Sequence, residues 1–161
     1  MREQFRARRL AAIAAALALT AILPACGGGG GGGTTPTTLP PAPQPVRTQI
    51  LSGPFSLAAA DRNGFPDIGA GPVTISGLGT VEIVADWTFA SNDVDIIWYA
   101  GSCSSTQAIR DQCTILARTT SVSQKPERLT ITNVAAGTYS VGLANYGSSS
   151  ESGNYQVFLT R

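Results

Sequence analysis

Ten residues, Thr80 to Phe89 (TVEIVADWTF), alternate in character one by one. Val81, Ile83, Ala85, Trp87 and Phe89 fall on one side; Thr80, Glu82, Val84, Asp86 and Thr88 fall on the other. A period of two is the side-chain period of a strand, and it cannot be laid on a helix without scattering the apolar residues around the barrel. The same beat recurs downstream. DVDIIWYA places Val94, Ile96 and Trp98 together, and RLTIT pairs Leu129 with Ile131. TYSVGLANY groups Tyr139, Val141 and Leu143, and NYQVFLT groups Tyr155, Val157 and Leu159. FSLAA, PVTIS and CTILARTTS add three further apolar, β-branched runs, separated like the others by Gly, Asn, Asp, Ser and Pro. No stretch after Val46 carries a helical period, although SSTQAIRDQ is short enough for a single turn. About eight strands in residues 46–161 predict an all-β domain, an antiparallel β-sandwich with apolar faces turned inward.

The N-terminus has a different grammar. Arg2, Arg6, Arg8 and Arg9 precede a 14-residue apolar run, Leu10 to Leu23. That is the layout of a secretory signal, and it is shorter than the roughly 20 apolar residues a spanning helix needs. Residues 1–25 are therefore expected to be removed on export. Of the 11 basic residues four lie in this segment, and of the 10 acidic ones only Glu3 does. The mature chain keeps seven basic and nine acidic side chains, with the basic ones scattered singly, so no footprint for nucleic acid is present.

Residues 26–45 read as a tether. Gly27 to Gly33 is an unbroken glycine run, which loses too much backbone entropy on ordering to pack. TTPTTLPPAPQP, Thr34 to Pro45, then favours extended polyproline-like chain. Between signal and tether sits Cys26, preceded by Leu23, Pro24 and Ala25. This LPAC sequence resembles the lipobox of bacterial lipoproteins. The resemblance implies that the Cys26 thiol receives a diacylglycerol and, after cleavage, becomes an acylated (palmitate-bearing) first residue. Each buried acyl CH₂ contributes about 0.8 kcal/mol, so two or three chains hold a protein firmly to a bilayer. The competing reading is an ordinary secretory signal with a cysteine by coincidence. It leaves unexplained the order of apolar run, small residue, cysteine and linker. Gly27, with no acid beside the cysteine, resembles lipoproteins sent to the outer membrane, so an outer-membrane or cell-surface location is expected.

The other two cysteines, Cys103 and Cys113, bracket nine residues between predicted strands. A metal site would need more ligands than a chain with no histidine supplies. In an exported protein a disulfide closing this loop is expected.

Three later segments carry a resemblance. VEIVADWTFASNDVDIIWY, AAGTYSVGLANYG and SGNYQVFLT are similar, in order, to the bacterial pre-peptidase C-terminal domain. Their family pattern is Asn/Asp-x-Asp before an apolar strand, Ala-Gly-Thr-Tyr opening a strand that ends near Asn-x-Gly, and a closing Gly-x-Tyr strand. The likeness covers Thr80 to Thr160, about half the chain, and is weaker from Val46 to Gly79. It implies a jelly-roll-like sandwich acting as a noncatalytic accessory or binding module.

Catalytic arrangements find little support. With no histidine, Ser-His-Asp and Cys-His sites are excluded. The single lysine, Lys125, sits in a turn-like SQKPER, and no glycine-rich loop joins a strand to a helix. An enzyme is not expected. Calcium, which takes oxygen ligands from loops, is the one cofactor the acids suggest. Its candidate ligands are Asp93 and Asp95 in NDVD, and Asp61 and Asp67 in DRNGFPD. The plainer reading, preferred here, is that these carboxylates cap loops by accepting backbone N–H bonds. Tyr99 falls on the face opposite Trp98. An aromatic exposed there would offer a binding platform, unless a neighbouring segment covers it.

The sequence thus predicts a membrane-anchored lipoprotein whose sandwich binds an envelope protein or polysaccharide. The alternative is a structural envelope protein with no dedicated ligand.

Overall fold

Eight strands and one short helix follow one another in the computed structural model, which describes residues 42–161 except Ser123. Cys26, the signal and all but the last residues of the tether therefore lie outside the described residues. The strands are β1 (Arg47–Leu57), β2 (Asp67–Ile75), β3 (Gly79–Trp87), β4 (Val94–Ala100), β5 (Ile115–Arg118), β6 (Glu127–Val134), β7 (Gly137–Asn145) and β8 (Glu151–Thr160). The helix, α1 (Ser105–Ile109), lies between β4 and β5. Two four-stranded antiparallel sheets form, in the orders β1-β8-β3-β6 and β2-β7-β4-β5. Successive strands β1 to β4 alternate between the sheets, which is the double Greek-key winding of a jelly roll.

The period-two residues become the core. Val81, Ile83, Ala85, Val94, Ile96, Trp98, Val141, Leu143, Val157 and Leu159 are buried in one cluster between the sheets. Leu129, Ile131, Tyr139 and Tyr155 pack against it from the margins, as their phase predicts. Trp98 and Tyr139 stack with ring centroids 4.8 Å apart. Phe89 departs from the pattern and is exposed. β3 ends at Trp87, whose indole N–H donates to the Phe89 carbonyl at 3.0 Å, so the chain has already turned out of the sheet.

β1 runs well beyond FSLAA, starting at Arg47, and it contains Pro54; β2 contains Pro72. Both are edge strands, where a missing N–H removes no ladder bond on the open side. The outward face of β3 carries Glu82, which pairs with Arg47 at 2.7 Å and Arg128 at 2.9 Å. Asp86 and Lys125 make the third ion pair among the described residues, at 3.5 Å. No helix of the described residues is long and apolar enough to cross a membrane.

Candidate functional site

The outward face of the second sheet is not bare. Ile97 and Tyr99 on β4 and Ala144 on β7 form a second buried cluster with Cys103 and Ala108. The cover is the segment that joins β4 to β5. The Ser104 hydroxyl and the Gln107 side chain close a capping box at the start of α1. The Ser105 hydroxyl accepts the Ala70 N–H at 2.9 Å, tying the helix to β2. The Ser140 hydroxyl accepts the Cys103 N–H at 2.8 Å and donates to the Gly101 carbonyl at 2.9 Å. The expected disulfide is present: Cys103 and Cys113 are bonded, with Cα atoms 6.0 Å apart.

Tyr99 is accordingly not an exposed platform. Only 2% of it reaches solvent, because the covering segment lies over it. Its ring rests on Gly142, where a Cβ would come within 2.6 Å of the tyrosine Cε2. That close approach explains a glycine inside the VGLAN strand.

Beside this cover a groove of about 510 Å³ remains open. Ile97 and Tyr99 make its floor; Phe65, Tyr146, Ile109 and Ile115 form its walls; Asp61, Asp111 and Arg118 stand on the rim. Phe65, Ile109, Ile115 and Tyr146 are all exposed apolar or aromatic side chains, gathered here from four separate segments. A second recess, about 270 Å³, opens between β1 and β2 and is lined by no charged side chain. The outer groove is the better candidate, because a site needs polar groups that fix orientation as well as apolar area.

The four sequence-selected acids divide into two kinds. Asp61 closes the DRNGFPD turn by accepting the Asn63 and Phe65 N–H groups at 2.9 and 2.8 Å. Asp67 accepts the Ala58 N–H at 2.7 Å. Both cap loops. Asp93 and Asp95 do not. Asp93 Oδ1 is buried without a partner. Asp95 is 9% exposed, and it receives a single long bond, from Thr119 Oγ1 at 3.5 Å. Burial, then the charges of Asp93 and Glu127, push the Asp95 carboxyl up to about 7, against the opposing pull of Arg118 and Thr119. Glu127, at the start of β6, is also raised, chiefly by burial, and its Oε2 has no partner. Asp61 and Asp67 are not brought to Asp93 and Asp95 in one ligand set. Among the described residues no three His, Cys, Asp or Glu side chains gather closely enough to hold a metal ion.

Sequence reasoning missed Phe65, Asp111, Arg118, Tyr146 and Glu127. The first four sit in loops or at a strand end, where no periodicity marks them. Glu127 is an acid at an inward position of β6, in phase with Leu129 and Ile131, and that phase was its one visible signal.

Fold and site define a jelly-roll β-sandwich with a mixed apolar and charged groove on one outer face. The sequence matches no protein-family model and no curated protein. Among solved structures, the crystal structure of PirA is similar to 67% of this chain and 92% of that one, at 14% identity and a TM-score of 0.37.

Proposed function

We propose that the protein is an exported lipoprotein, anchored through acylated Cys26, whose β-sandwich is a noncatalytic binding module. The observation that carries the binding half is the groove over Ile97 and Tyr99. Exposed apolar and aromatic side chains converge there beside charged ones, on a scaffold held by a disulfide and a capped helix. Such convergence marks a recognition surface, whereas isolated exposed apolar residues do not. The anchoring half rests on LPAC and the glycine-rich tether. The reading without an enzyme rests on the missing histidine and on a single lysine, Lys125, set in the turn-like SQKPER. The resemblance of Gly27 after Cys26 to lipoproteins sent to the outer membrane supports an outer-membrane or surface location.

A photoreactive residue at Ile115, in the groove wall, tests the binding half in intact cells, with one at exposed Thr130 as the control. A discrete adduct from Ile115 alone supports a docked partner. Equal or absent adducts at both sites favour the structural envelope protein instead. Metabolic palmitate labelling that survives Cys26→Ser overturns the anchor.

A further inference from the structure

We infer that the end of the sandwich where the tether enters is a membrane contact, with Leu78 and Val46 set among the headgroups of an anionic bilayer and Arg161 against their phosphates. This rests on the anchor at Cys26 proposed above. The winding gives the sandwich two unlike ends. Neighbouring strands are antiparallel and the turn 76–78 carries β2 into β3, so β1, β3 and β7 start at the tether end and β2, β4, β6 and β8 finish there. Three segments meet at that end. Val46 and Arg161 exchange backbone hydrogen bonds at 2.7 and 3.1 Å. Gly77 and Gly79 lie against Arg161, since a Cβ on them would come within 3.1 and 3.0 Å of its side chain. Leu78, between the two glycines, is 67% exposed, and Val46 is 65% exposed. Gly79 pairs with Val134, which brings the exposed Ala135 and Ala136 alongside.

Charge is sorted along the same axis. Of the nine acidic side chains after Pro41, Asp61, Asp67, Asp86, Asp93, Asp95, Glu127 and Glu151 sit at the opposite end, in the loop after β1, near the end of β3 or at the starts of β2, β4, β6 and β8. Asp111 belongs to the segment that covers Tyr99, and Glu82 is held by Arg47 and Arg128. Arg161 takes part in none of the three ion pairs among the described residues. An anionic surface therefore repels the far end much more than the tether end and turns the latter toward itself. Connectivity favours the same face. Nineteen residues separate Cys26 from Val46, and a linker of that length keeps what it joins at an effective concentration on the order of millimolar, so a patch too weak to bind alone is engaged. Exposed aliphatic side chains beside an arginine suit the interfacial layer, because the apolar parts leave water while the guanidinium stays at the phosphates. The far end, with Phe65 and its side of the groove, is then left facing the aqueous space.

The test places a photoreactive diazirine side chain at Leu78 of the full-length acylated chain, or at exposed Phe65 in the opposite end as the control. The protein is reconstituted into vesicles of phosphatidylcholine and phosphatidylglycerol, and lipid adducts are read by mass spectrometry. Adducts from Leu78 are expected to be at least tenfold more abundant than those from Phe65. Arg161→Gln should lower the Leu78 yield about fivefold in these vesicles and leave it unchanged in phosphatidylcholine alone, since one arginine near an anionic surface is worth about that factor. Equal lipid yields from Leu78 and Phe65, in a chain that floats with the vesicles, overturn the contact and leave the anchor standing. Leu78 adducts to protein in place of lipid also overturn it. A Leu78 yield unchanged by Arg161→Gln overturns the part given to Arg161. A chain that does not float with the vesicles has lost the anchor, and the contact that rests on it falls too. The comparison of Leu78 with Phe65 keeps Arg161, so it holds whatever that substitution does to folding.

Discussion

Two buried carboxylates in this sandwich meet opposite fates. Glu151, at the start of β8, accepts the Thr88 and Phe89 N–H groups at 3.0 and 3.1 Å, the Asn92 amide at 2.9 Å and the Ser152 N–H at 2.9 Å. Burial raises its pKa most, yet Asn92 and the three backbone N–H donors together outweigh burial and hold it below the ordinary glutamate value. Asp95 has one long bond and two acidic neighbours, and it is raised. Burial raises both carboxyls; at Glu151 the donors aimed at its oxygens outweigh it, and at Asp95 one long bond does not. Glu151 is a clamp. It holds the loop after β3 against the start of β8, and Asn145 continues the network by donating to the Ala58 and Ser149 carbonyls at 2.8 Å each. Gly147 belongs to the same clamp, since a Cβ there would collide with the Asn92 amide. Asp95, by contrast, accepts only the long bond from Thr119.

The sharpest way to break this contrast is to remove the clamp. Glu151→Ala removes the acceptor that the Thr88, Phe89 and Ser152 N–H groups and the Asn92 amide share, with Thr88 and Asn92 keeping only their bonds to the Ser152 and Ser149 carbonyls, and should destabilise by about 3–5 kcal/mol in urea unfolding. A loss below about 1 kcal/mol would show that the network is not structural. Next comes the cover over Tyr99. Replacing Cys103 and Cys113 by serine opens the loop and should remove about 2–3 kcal/mol on the chain-entropy model, with Tyr99 becoming accessible to solvent quenchers. If Tyr99 stays protected, the capping box and the Ser105 tie suffice alone.

The third test concerns pH. The folded Asp95 carboxyl titrates at about 7, above its unfolded value near 4, so the folded state holds the extra proton between those limits. Stability from this group is full below pH 4 and is lost as pH rises toward 7 and beyond. Asp93 and Glu127 are raised and act in the same direction. Glu151 and Glu82 are lowered; their stabilisation is present above the usual glutamate range and is lost in acid. Asp95→Asn should therefore raise Tm by a few degrees at pH 8 and leave it unchanged at pH 4. A Tm that falls at pH 8 would place Asp95 among the satisfied carboxylates. The smallest effect belongs to the surface pair between β3 and β6. Arg128→Ala should change stability by less than about 1 kcal/mol, and the change should vanish in molar salt.

Much of this architecture lies in local pattern. The alternation in TVEIVADWTF, DVDIIWYA and TYSVGLANY specifies strands and also their inward faces, because a one-residue slip would expose every apolar side chain. The cysteine pairing follows from spacing and export. The spans of β1 and β2 were harder, because Gly53, Pro54 and Pro72 read as breakers until their strands are known to be edges.

What the sequence by itself determined was a β-sandwich core, its phase, its loop-closing disulfide and the turn acids Asp61 and Asp67. Each rests on contacts within a strand or across a few residues. What only the tertiary structure decided was which outward residues stay outside. Tyr99 is covered because α1 folds back across β2, β7 and β4, and Glu127 meets Asp93 and Asp95 because strands from two sheets meet at one edge. The groove of Phe65, Tyr146, Ile109 and Ile115 is drawn from segments that no periodicity links, so their meeting depends on how the strands are wound rather than on any local pattern.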